Sequence, residues 1–238
     1  MKLAFISDVH GNAMALDAVL EDIKKREIDQ IIVLGDICYR GPEPKRSLDL
    51  VRSLNTDVIK GNADEWIVRG IKKGEVPESV HAMMSKERDW SATKLDDESV
   101  NYLKNLQDEL KLEFDSIKIH AFHATPTSLF NVVPPDESNE KVLEKLVTND
   151  ADIFIYGHIH KSFVRFIGGK CMVNTGSVGL PFDGLNKASY AIVEINESNF
   201  DISIARVDYD VNKVIKQFDQ SDYPNKEVMV KILEEAQV

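Results

Sequence analysis

The sequence predicts an α/β fold with a mainly parallel sheet, on three observations. Strand-like and helix-like patterns alternate through the first sixty residues. Their order is βαβαβ, which implies parallel pairing through helical crossovers. Each strand-like run ends in a polar or glycine-containing tip, and strand C-termini are where open α/β sheets place their sites.

Taken in order, Leu3–Ser7 reads as a buried strand, Ala13–Lys25 as a helix, Ile31–Leu34 as a strand, Lys45–Leu54 as a helix and Asp57–Ile59 as a strand. The tips are Ser7-Asp8-Val9-His10-Gly11-Asn12, Gly35-Asp36 and Gly61-Asn62. From Ala63 to about Asp108 the pattern turns helical and charged, a helical excursion beside the sheet with Trp66, Ile67, Val80, Met83, Met84, Trp90 and Leu103 among its candidate buried positions. Leu110–Phe114 and Ile117–Phe122 form a predicted hairpin, followed by a helix at Asn139–Val147 and a strand at Ile153–Tyr156 that ends in Gly157-His158-Ile159-His160. Phe163–Ile167, Cys171–Asn174, Tyr190–Ile195 and Ile202–Val207 suggest a second, antiparallel sheet. Lys226–Ala236 reads as an amphipathic helix. With no internal repeat or low-complexity linker, one domain over residues 1–238 is expected.

Composition narrows the partners. Hydrophobic residues make up 43% of the 238 residues, enough for a sizeable core. Lys plus Arg number 29 against 40 Asp plus Glu, a net charge of −11 that repels a phosphate backbone, so duplex nucleic acid is not an expected partner. A small phosphorylated substrate, such as a nucleotide, stays open where fixed cations or a local Arg reverse the field. The apolar start at Leu3–Ile6 meets Ser7 and Asp8 at once, unlike a secretory signal. No apolar stretch approaches the roughly 20 residues a bilayer span needs. A cytoplasmic protein without a membrane partner is expected, with Cys38 and Cys171 as free thiols. The aromatic and Met content of residues 63–108 suits a dimer interface or a substrate lid equally well.

The tips hold oxygen and nitrogen donors suited to hard or borderline divalent cations: Asp8-x-His10, Gly35-Asp36, Gly61-Asn62 and Gly157-His158-x-His160, with His123 after the hairpin. Seven such ligands would serve two metals. Each motif alone is weak, since Gly-Asp and Gly-Asn are mostly turn chemistry. Their order is the signal: four of the six histidines follow predicted strands within this set.

This pattern resembles that of the calcineurin-like metallophosphoesterase superfamily: Asp-x-His, Gly-Asp-x-x, Gly-Asn, a His before a small residue, and Gly-His-x-His, here spanning residues 8 to 160. Asn174-Thr175-Gly176-Ser177 looks like the Asn-x-Gly-Ser turn of its small bacterial phosphodiesterase branch, which is diadenosine tetraphosphatase-like. The resemblance implies a four-layer αββα sandwich with a helical insertion and a dinuclear metal centre. Asp8, His10 and His160 would hold the first metal, Asp36 would bridge both, and Asn62, His123 and His158 would complete the second. Arg40 corresponds to a phosphate contact, with Asn62 also facing substrate. Asp36, Asn62 and Arg40 are therefore the expected catalytic residues. The expected cofactor is a pair of divalent ions, manganese first, with iron, zinc, nickel or magnesium as alternatives. A metal-bridging hydroxide would then attack phosphorus in line.

Two positions depart from the superfamily's pattern. A His that often follows Gly-Asn and protonates the leaving oxygen is here Ala63, and an Asp that orients it in the phosphatase branch is here Tyr39. General-acid help is worth about 10²–10⁴-fold, so alkoxide leaving groups would suffer most. Phosphodiester or phosphoanhydride hydrolysis is expected, with diadenosine tetraphosphate as a candidate substrate. The rivals are a phosphomonoesterase or protein phosphatase, in which Tyr39, Asp64 or a metal-bound water replaces the missing acid, and a non-catalytic scaffold of the same fold. A degenerate scaffold would have lost ligands, and all seven are present. His120, three residues before His123 on a strand, should face away from the site; His81 reads as surface or packed, Cys38 as a small buried hydrophobe, and Trp66, Met83, Met84 and Trp90 as core before nucleobase pocket.

Overall fold

The computed structural model describes residues 1–237. The chain runs β1 (Lys2–Ile6), α1 (Ala13–Lys25), β2 (Gln30–Val33), α2 (Pro44–Ser53), β3 (Asp57–Val58), α3 (Asn62–Arg69), α4 (Glu78–Thr93) and α5 (Asp97–Lys104). It continues through β4 (Glu109–Phe114), β5 (Ile117–Phe122), α6 (Asn139–Leu146), β6 (Ile153–Tyr156), β7 (Phe163–Ile167), β8 (Lys170–Asn174), β9 (Ala188–Asn196) and β10 (Asn199–Val207) to α7 (Val211–Gln220) and α8 (Lys226–Glu235).

Two five-stranded sheets stack, in the orders β10-β9-β1-β2-β3 and β4-β5-β6-β8-β7. Alternation along β1 shows why the layers close. Leu3 and Phe5 enter a core shared between the sheets with Ile32, Ile119, Ile153 and Val173, while Ala4 and Ile6 face Leu16, Val19, Leu48 and Val51 of α1 and α2. On the far side Phe122 and Phe154 pack against Val142 and Leu146 of α6. The result is the αββα sandwich. Local signals set the helix starts: the Asn12 side chain accepts from Ala15 N at 3.0 Å to cap α1, and Pro44 opens α2.

Three expectations need correction. The four strands after residue 160 do not form a sheet of their own. β7 and β8 join the second sheet, β8 parallel to β6, while β9 and β10 extend the first, β9 antiparallel to β1. Alternation marks a strand without naming its partner, which long-range packing decides. Helix α7 was not anticipated, although Val211, Val214, Ile215 and Phe218 carry helical spacing. Val80 and Met83 lie on the exposed side of α4 at 40% and 37% exposure. Among the described residues, no helix is long and apolar enough to cross a membrane.

Candidate metal centre

The C-terminal ends of five strands converge on one place. β1 leads to Asp8 and His10, β2 to Asp36, β3 to Asn62 at the first turn of α3, β5 to His123, and β6 to His158 and His160. Sheet one thus supplies carboxylates, an amide and one imidazole, and sheet two supplies three imidazoles.

The backbone there is held in uncommon conformations. Asp8, His10, Asp36, His158 and His160 all have positive φ, between 48° and 66°, and Arg40 has φ 73°. Non-glycine residues enter this region rarely, and such strain persists only where surroundings impose it. Hydrogen bonds between neighbouring tips impose it here: Asp8 N donates to Gly35 O at 3.0 Å, His10 N to Asp36 O at 2.9 Å, and Gly157 N to His123 O at 3.0 Å. The Asn174–Ser177 turn braces the same loops, Asn174 Nδ2 donating to Gly157 O at 2.6 Å and Ser177 Oγ to Asp8 O at 2.7 Å. The glycines in the motifs permit close approach: a Cβ on Gly61 would lie 2.1 Å from Asp36 Oδ1, and one on Gly157 would lie 2.4 Å from Asp8 Oδ2.

All seven expected ligands are brought together. Asp8 Oδ1 lies 3.1 Å from His160 Nε2 and 3.6 Å from His10 Nε2, and the two imidazole nitrogens face each other at 3.0 Å. Asn62 Oδ1 lies 2.9 Å from His123 Nε2 and 2.7 Å from His158 Nδ1. Asp36 sits between these groups, Oδ2 3.6 Å from His10 Nε2 and Oδ1 3.4 Å from His123 Nε2. Two sets of donor atoms lie within 4.8 Å of one another, close enough to share a cation, Asp8-His10-His160 and Asp8-Asp36-His123, so Asp8 belongs to both.

The donor chemistry fits cations. His10, His123 and His160 each direct Nδ1 at a backbone carbonyl, of Tyr39 (2.8 Å), Leu34 (2.7 Å) and Leu180 (2.5 Å). Those bonds fix a proton on Nδ1 and aim Nε2 inward, where its lone pair, once free of a proton, has the arrangement of metal-ligating histidines. Lone pairs of His10 and His160 then oppose one another, and buried Asp8 Oδ1 has no hydrogen-bond partner. A cluster of inward acceptors is costly unless a positive charge joins it. The electrostatics of the chain alone agree: burial disfavours the Asp8 charge, yet His160 and its neighbours hold its carboxyl well below the usual range. Burial would lower His123 too, but the Asp36 charge raises it to about 9. Burial and the His123 charge push His158 down to about 4.

A cavity of about 150 Å³ opens over this cluster, lined by His10, Asp36, Arg40, Asn62, His158 and His160, and by Tyr39, Ala63, Trp66, Met84 and Phe182. Asp8 and His123 lie fully buried behind it. Trp66 and Met84 therefore face the site, unlike Met83 and Trp90, whose Nε1 donates to Asp222. Neither side chain considered as a replacement acid is free to act. The Tyr39 hydroxyl turns away, 3.0 Å from Met84 O and 3.1 Å from Glu87 Oε2. Asp64 spends both oxygens on backbone N–H groups, of Asp36 (2.7 Å), Ile37 (2.9 Å) and Gly61 (2.9 Å). His120 lies elsewhere, bound to Glu109 at 2.6 Å and Asn149 at 3.0 Å, and Cys38 and Cys171 are buried free thiols. Sequence reasoning missed the bracing role of Asp64, though an acid three residues after Gly61 is a helix-start signal. It also missed Glu87 and Phe182, the latter stacked on His160 at 4.2 Å; neither carries a local signal.

Fold and site define an αββα protein with a candidate divalent-metal centre of carboxylates, imidazoles and one carboxamide. The family model described as the calcineurin-like phosphoesterase superfamily domain matches residues 1–198, and the chain belongs to that superfamily, whose members bind divalent metals. It is 32% identical to an uncharacterized protein of Methanocaldococcus jannaschii over 93% of each chain. It is 26% identical to serine/threonine-protein phosphatase 2 of Escherichia coli, over 72% of this chain and 86% of that one. A metallophosphoesterase from Sphaerobacter thermophilus has a similar structure, with TM-score 0.79, 25% identity and 99% of each chain covered.

Proposed function

We propose that the chain hydrolyses phosphodiester or phosphoanhydride bonds at a two-cation centre, with dinucleoside polyphosphates such as diadenosine tetraphosphate in its substrate class. The observation that carries this reading is a cavity lined by five of the seven candidate cation donors, with Asp8 and His123 buried behind them, and, among the described residues, by no side chain free to protonate a leaving group. Bound divalent cations, manganese first, would supply Lewis-acid charge and a water acidic enough to attack phosphorus near neutral pH.

The chain's residues do the rest. Asp36, with one oxygen toward each imidazole group, would bridge the two cations. Asn62 adds a neutral donor, which limits the negative charge facing an anionic substrate. Arg40, on the cavity wall, offers a planar fork suited to phosphoryl oxygens. Ala63 leaves the departing oxygen unprotonated, which favours leaving groups that are already weak bases, such as aryl oxides and phosphates. The resemblance to a protein phosphatase makes monoesters the competing class, and the occupied Tyr39 and Asp64 side chains weigh against them.

The test is hydrolysis of a bis-aryl phosphodiester and an alkyl monoester by manganese-loaded protein, with Asp36→Asn as control. Diester turnover that needs both manganese and Asp36 and exceeds monoester turnover is expected. Faster monoester hydrolysis would select the phosphatase reading, and no turnover of either would select the scaffold.

A further inference from the structure

We propose that Glu87, on the insertion helix α4, is a positioning residue that aims Arg40 at the substrate phosphate; the inference rests on the phosphoesterase reading of the site. Of the sixteen residues of α4, the two fully buried ones are Glu87 and Ser91. A helix docked for stability alone buries an apolar stripe. Burying a carboxylate is unfavourable unless donors meet both oxygens.

Glu87 is 1% exposed, and its partners come from two distant parts of the chain. Oε1 accepts from Asn225 Nδ2 at 3.0 Å, at the entry to α8. Oε2 accepts from the Tyr39 hydroxyl at 3.1 Å and lies 3.8 Å from Arg40 Nε. Arg40 Nε is buried and has no hydrogen bond, so this last contact is an ion pair acting on one edge of the guanidinium. With the Nε edge drawn to Glu87, the Nη groups are the donors left for a ligand in the cavity that Arg40 lines. The Tyr39-Arg40 unit also carries the carbonyl that orients His10 at 2.8 Å. Glu87 thus fixes, from the insertion, the segment that joins a candidate metal ligand to the phosphate contact.

The experiment measures inorganic phosphate binding to the manganese-loaded full chain by calorimetry, alongside bis-aryl diester kinetics, for Glu87→Gln, Arg40→Ala and the double variant. Glu87→Gln should raise the phosphate Kd and KM about tenfold and change kcat less than twofold. In the Arg40→Ala background it should have no further effect. Arg40→Lys, which keeps the charge but lacks the two-edged fork, should lose phosphate as fully as Arg40→Ala. Equal losses from Glu87→Gln in both backgrounds, or phosphate affinity unchanged in Glu87→Gln, would overturn the inference alone, as would wild-type affinity in Arg40→Lys if Glu87→Gln fails to fold. A wild-type protein that neither binds phosphate nor hydrolyses esters would overturn the functional reading and this inference with it.

Discussion

Asp64 holds the backbone of Asp36, and Asp36 holds that of Ala63, the residue before Asp64. The Asp64 carboxylate accepts from Asp36 N at 2.7 Å, and the Asp36 carboxylate accepts from Ala63 N at 2.7 Å. The pair ties the tip of β2 to the first turn of α3, so the carboxylate placed between the two imidazole groups is fixed from both sides. Burial, and then the Asp36 charge, push Asp64 up to about 6 even with three N–H groups bound to it.

Asp64→Asn should therefore weaken manganese binding without touching a ligand. An amide cannot accept from all three N–H groups, and a stranded buried donor costs on the order of 1–3 kcal/mol. Loss of such outer support typically lowers metal affinity about 10–100-fold. Manganese titration followed by calorimetry checks the affinity, and thermal unfolding of the metal-free protein checks the stability. Wild-type affinity in a folded variant would remove Asp64 from the account.

Metal loading should release protons. In the metal-free chain burial disfavours a charged His123, but Asp36 raises it to about 9, so near neutral pH a proton occupies the nitrogen that a cation would take. A cation must displace it, so affinity should rise with pH up to about 9. Calorimetry of manganese binding in buffers of different ionisation enthalpy measures the protons released; none released at neutral pH would contradict the placement of His123 as a ligand.

Ala63→His should raise turnover of an alkyl phosphomonoester by restoring a proton donor at a cavity-lining position. A gain of about tenfold or more is expected for the alkyl ester, and a smaller one for an aryl ester, whose leaving group needs less help. Steady-state kinetics on the two esters decide it, and equal changes would show that proton donation is not what the wild type lacks.

Away from the site, His120 gives the fold a pH dependence of predictable sign. Burial lowers its pKa, partly opposed by Glu109. A histidine depressed in the folded state is protonated more readily when unfolded, so its contribution is intact above about pH 6.5, the unfolded value, and is lost as pH falls below it. Chemical denaturation from pH 8 to pH 5 should show this decline, and His120→Gln should flatten that component. An unchanged slope in the variant would assign the decline to other groups.

Apart from α7, the order of elements and the identity of the strand tips were legible from the residues alone. The periodicity of Ala13–Lys25 and the β-rich runs at Leu3, Ile31 and Ile153 are local signals that survive into the structure with shifts of a residue or two. So was the convergence of Asp8, His10, Asp36, Asn62, His123, His158 and His160, because strands of a sandwich that end at the same edge bring their tips together. Tertiary structure alone decided that β9 joins β1 while β8 joins β6, since alternation is blind to partner. It alone decided that the Tyr39 hydroxyl and both Asp64 oxygens are taken up by hydrogen bonds, and that a carboxylate on α4 meets residues 48 and 138 positions away in sequence. Contacts over such separations are set by packing of the whole chain, and they leave no periodic trace in the segments that make them.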